Sequence, residues 1–97
     1  MRPITALRTQ YDHTRRVLRA HRRIVELQQQ YDNATTNADR AQTAEWIADL
    51  LNTQADHLEA SWLARAAYSL PTPAGLRAEA AEWLSKATDL WQNAYTR

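Results

Sequence analysis

Apolar residues return every three or four positions along nearly the whole chain, and the pattern lapses only twice. From position 3 to 33 they are Ile4, Leu7, Tyr11, Val17, Leu18, Ile24, Val25, Leu27 and Tyr31, a spacing that gathers side chains on one side of a helix. The first lapse is the run from Asn33 through Ala38, rich in Asn and Thr. These side chains bond their own backbone and so favour turns and caps over helix interiors. Thr36 followed by Asp39 resembles a capping box with Asp in the role of Glu. The pattern predicts a second helix over 37–69 with an inner stripe of Ala44, Ile47, Leu51, Ala55, Leu58 and Trp62. Pro71-Thr72-Pro73 is the second lapse. Thr72 is placed as an N-cap and Pro73 at the first helical position, where a missing N–H costs nothing. A third helix follows over 73–96 on Leu76, Ala80, Trp83, Ala87, Leu90 and Ala94, flanked by Leu84 and Trp91.

Three long helices joined by short connections predict one all-α domain over 1–97, an antiparallel three-helix up-down-up bundle. Ninety-seven residues suffice for one core and not for two. One glycine and three prolines leave little punctuation, so helix content above roughly 75% is expected. The first two helices span roughly 45–50 Å and the third about 36 Å at 1.5 Å per residue. The mismatch predicts a tip only two helices thick near the first turn, with Ile24, Leu27 and Tyr31 facing outward beside Ala38 and Ala41. An uncovered apolar tip marks an interface, and self-association as a homodimer is expected from it.

Charge adds a second feature. Arg15, Arg16, Arg19, Arg22 and Arg23 fall in one nine-residue stretch, within an arc of roughly 120° on a helix. The net charge of +1 conceals +5 over residues 1–30 and −4 over residues 31–97. Guanidinium forks suit phosphates and carboxylates, so this stripe asks for an anionic partner. Its plainer reading is a solvated face, because Asp12 lies four residues before Arg16 and Glu26 four after Arg22. Glu45, Asp49, Asp56 and Glu59 form an opposing acidic stripe on the second helix, read either as solvated or as the counterpart of the arginines. Trp46 lies off the inner stripe, at an edge shared with Leu50 and Tyr68, and is the candidate surface aromatic.

Catalytic chemistry finds no foothold. There is no cysteine, hence no disulfide or thiolate. None of His13, His21 and His57 has a His or carboxylate four residues away, the spacing of helical metal sites. A single glycine excludes a glycine-rich phosphate loop, and no serine sits in a nucleophile elbow. The chain is therefore read as no enzyme, with no cofactor, no metal and no small-molecule substrate. The N-terminus shows no apolar signal region and no run long enough to span a membrane, so a cytoplasmic protein is expected. The function expected is a small intracellular helical protein-interaction module, an adaptor or inhibitor that binds a protein partner, itself or an acidic protein surface. Its expected contact residues are Arg15, Arg16, Arg19, Arg22, Arg23, Ile24, Leu27, Tyr31 and Trp46. The second reading is nucleic-acid binding through the Arg face of the first helix.

Overall fold

The computed structural model describes residues 3–67 and 72–95. Of these, 94% are helical and none is in a strand, in keeping with the content above roughly 75% that the periodicity predicts. The elements are α1 (Pro3–Asn33), α2 (Asn37–Ala60), α3 (Trp62–Ala67) and α4 (Pro73–Tyr95). Both caps form. The Asp39 amide donates to Thr36 Oγ1 at 3.1 Å and the Gly75 amide to Thr72 Oγ1 at 3.1 Å, each satisfying an otherwise orphan first-turn N–H. Arg40 Nη2 donates to the Ala34 carbonyl at 2.9 Å and ties down the α1–α2 turn.

The three long helices pack together, with α2 in contact with each of the others. Gln10 meets Ser61, His13 meets His57 and Gln54 meets Val17, so numbering falls along α2 as it rises along α1. Ala41, Ala44, Ala48 and Ala55 are all buried on α2 and Ala80 and Ala87 on α4. Small side chains let these two backbones come close, and α2 and α4 share the most extensive contact in the molecule. Among the described residues no Cα of α1 comes within 8 Å of α4. Only side chains bridge them, as where Tyr31 meets Trp83 edge-to-face at 5.1 Å. The result is a rod of 60 × 22 × 21 Å with a radius of gyration of 15.9 Å, against about 13 Å for a compact domain of this size.

The structure corrects the second helix. It does not run unbroken to residue 69, a terminus that lies outside the described residues, but breaks at Ser61, whose backbone is extended (φ −132°, ψ 111°). Ser61 Oγ accepts from the Ala64 amide at 3.0 Å, so Ser61 caps α3, and donates to Gln10 Oε1 at 2.8 Å. Leu63 N–H donates to the same Gln10 oxygen at 3.4 Å. The extended residue resets the helical phase, and Trp62, expected on the inner stripe, is exposed.

The tip changes with it. At 24 residues α2 is nearly matched by the 23 of α4, so α4 reaches the first turn: Asn93 and Ala94 line a pocket with Thr35, Asn37 and Ala38. Ile24 and Leu27, expected to face outward, are core residues at 5% and 1% exposure. Ala41 is fully buried, and Tyr31 is half-buried against Trp83. Toward the other end of α1, where Gln10 meets Ser61, α3 packs on α1. Trp83 and Trp91, expected in the core, are half-buried. The ammonium of Lys86 sits 4.3 Å above the Trp83 ring.

Candidate functional site

The arginines lie on the outer side of α1 because Val17, Ala20, Ile24 and Leu27 turn inward. Arg15, Arg16, Arg19, Arg22 and Arg23 are all exposed. Two are locally neutralised: Arg16 Nε lies 3.1 Å from Asp12 Oδ2, and Arg23 Nη1 lies 3.0 Å from Glu26 Oε2. Glu26 thus pairs at three residues' separation with Arg23 rather than at four with Arg22. Arg8, Arg15, Arg19 and Arg22 make no ion pair or hydrogen bond with any described residue.

The acidic stripe of α2 does not answer them. Arg77 of α4 holds two of its members, with Nη2 at 2.7 Å from Asp56 Oδ1 and 3.0 Å from Glu59 Oε2. Hydrogen bonds to Glu59 and then Asp56 raise the Arg77 pKa. A third, Glu45, accepts from Trp91 Nε1 at 2.7 Å. Three members of the stripe are therefore engaged at the α2–α4 seam, on the other side of α2 from the arginines.

Between α1 and α2 the arginine side forms a groove of about 470 Å³. Arg16, Arg19 and Arg23 line it from α1, with Leu50, Thr53 and His57 opposite and Ala20 at the floor. Trp46, 44% exposed, stands one turn from Leu50 beside a neighbouring pocket lined by Gln30, Gln42 and Thr43. Of the expected contact residues, the fold thus gathers Arg16, Arg19, Arg23 and Trp46 along one face. By helical phase Arg15 and Arg22 lie at the other flank of the stripe, and Ile24 and Leu27 are withdrawn into the core.

His13 and His57 were not paired by any local signal, being 44 residues apart. Their Nδ1 atoms lie 2.8 Å apart, with ring centroids 5.0 Å apart, so one ring carries the proton and the other the lone pair. Burial first, then His13 and Arg16, lower the His57 pKa, partly opposed by Asp56 and Asp12. Among the described residues no group of three or more His, Cys, Asp or Glu is placed to hold a metal ion.

A second apolar stripe on α1 is visible only in the structure. Leu7, Tyr11 and Val25 are 55%, 60% and 42% exposed, and Leu18 is half-buried. By apolar periodicity alone these residues merge with the core face. What separates them is their own spacing, which is not that of the residues facing α2.

No helix among the described residues is long and apolar enough to cross a membrane. Searches against family models, curated proteins and solved structures found no match to this chain.

Proposed function

We propose that this chain is a helical protein-interaction module, an up-down-up bundle that acts as an adaptor or inhibitor by presenting the outer side of α1. The observation that carries this reading is the coincidence, on one helix, of arginines that have no partner among the described residues with exposed large apolar side chains. A polar rim around a dry strip is the usual composition of a protein interface. Self-association through the first-turn tip is not part of the proposal, because α4 covers that tip.

Site-specific photo-crosslinking tests it. A benzophenone side chain placed at Tyr11 or Trp46 in the native cell is expected to give discrete protein adducts, whereas one at Leu84, exposed on α4, gives none. Absence of protein adducts at both α1-side positions overturns the reading. The alternative, nucleic-acid binding, is favoured by the guanidinium groups of Arg15, Arg19 and Arg22, which have no partner among the described residues. It requires a steep fall of affinity with salt, with a log–log slope of several units, and loss of binding on changing those three to Ala.

A further inference from the structure

α1 has two apolar faces. Val17, Ala20, Ile24 and Leu27 of the first are buried in the core. The second runs through Leu7, Tyr11, Thr14, Leu18, His21 and Val25, at steps alternating between four and three residues. That alternation is the seam spacing of a coiled coil. Leu7, Tyr11, His21 and Val25 are exposed, and Thr14 and Leu18 half-buried. Arg8, Arg15 and Arg22 recur beside this seam at intervals of seven, about 10.5 Å apart along the axis. Each directly follows a seam residue, Leu7, Thr14 or His21, and so holds the flanking position from which coiled-coil helices select partners by charge. These three are among the arginines with no partner among the described residues.

Resting on the reading of the chain as a protein-interaction module, we propose that this seam docks an acidic amphipathic helix of a different protein. The docked helix carries apolar residues at the same alternating spacing, and Glu or Asp at seven-residue intervals opposite Arg8, Arg15 and Arg22. Toward its C-terminal end the seam borders a narrow cleft between α1 and α4, where His21 and Val25 face Leu76 and Glu79 over a floor of Leu51 and Gln54. The second flank of the docked helix therefore meets Glu79 and is neutral or basic there.

Charge decides against a second copy as the occupant. In an antiparallel α1–α1 pair, flanking positions of the same kind meet, and Arg8, Arg15 and Arg22 would oppose their own counterparts. In a parallel pair they would meet the side bearing Gln10, Val17 and Ile24, which offers no carboxylate. Asp56, Glu59 and Glu45 of the acidic stripe are engaged by Arg77 and Trp91. The apolar face of α4 that would accompany Glu79, Glu82 and Asp89 is packed on α2. The seam has no Trp or Phe to anchor it in a lipid surface.

The probe is a synthetic four-heptad peptide with Leu at the seam positions, Glu at the flank opposite Arg8, Arg15 and Arg22 and Gln at the flank that meets Glu79, used below the concentration at which it pairs with itself. A twin carries Lys in place of Glu. Titration of the labelled peptides into the full chain is expected to show at least tenfold preference for the Glu peptide at low ionic strength, narrowing as salt is added. Changing Arg8, Arg15 and Arg22 together to Glu is expected to invert the preference, and gained binding of the Lys twin does not arise from misfolding. Tyr11→Asp with Val25→Asp is expected to remove binding of the Glu peptide while far-UV circular dichroism stays unchanged. Equal binding of both peptides, no binding of either, a preference that fails to invert, or tighter binding to duplex DNA than to the Glu peptide overturns the proposal. If that happens while crosslinking at Tyr11 still yields protein adducts, this partner chemistry fails and the interaction module stands. If the adducts are absent too, both fail.

Discussion

Ser61→Ala tests the joint that sets the proportions of the molecule. Ser61 Oγ accepts from the Ala64 amide at 3.0 Å and donates to Gln10 Oε1 at 2.8 Å. Losing a serine N-cap costs about 1 kcal/mol. Losing a hydrogen bond of this kind costs about 1 kcal/mol more, Gln10 being only half-buried. The sum, about 2 kcal/mol, corresponds to a fall in melting temperature of about 8–16 °C for a chain of this size. Thermal denaturation followed at 222 nm reads it directly, provided the transition is two-state. Gln10→Ala removes the partner from the other side and also frees the Leu63 amide. The double variant is therefore expected to lose less than the two single losses added together, with a coupling of about 1 kcal/mol. If Ser61→Ala melts within roughly 2 °C of the parent, or the two losses simply add, the break is not held by this pair and the reasoning fails.

Other perturbations separate core from surface. Leu27→Ala is expected to cost about 2–5 kcal/mol, as for other buried leucines, and Leu27→Glu to unfold the chain, since its side chain is 1% exposed; a folded Leu27→Glu variant contradicts the packing of the tip. Arg77→Ala is expected to lower stability only slightly, because the ion pairs it breaks are solvent-exposed, with the difference shrinking in high salt. The His57 pKa is lowered in the folded state, so the unfolded chain binds its proton first as pH falls. Stability is then complete above about pH 6.5, the unfolded value, and declines as pH drops below it toward the folded pKa. Urea midpoints measured from pH 8 to pH 5 are expected to show this decline and to lose much of it in His57→Gln.

What was legible in the sequence was whatever is decided within one helical turn. Thr36 and Thr72 announce their helices because each cap closes on an amide three residues on. The arginine cluster was legible for the same reason. The break at Ser61 was not, since the residues around it are good helix formers and its second partner, Gln10, is 51 residues away. One missed break then propagated. It lengthened the second helix, left the third too short on paper, and exposed a tip that α4 in fact covers. The same limit hid the histidine pair. Which arginine Glu26 engages was likewise beyond reach, because it pairs with Arg23 and not Arg22 by side-chain geometry that spacing alone leaves open.

The central place of α2 carries a consequence for how the molecule opens. Among the described residues it touches all three other helices, so releasing α1 alone still leaves α2 sheltered along its alanine face by α4. Amides of the outer helices can therefore exchange with solvent through partial openings, while those of α2 near Ile47 and Leu51 wait for the whole structure to come apart. Urea is expected to accelerate exchange steeply at these α2 amides and only weakly at the N-terminal third of α1. A binding event that pins α1 would raise protection there first, before it is felt at the centre of the rod.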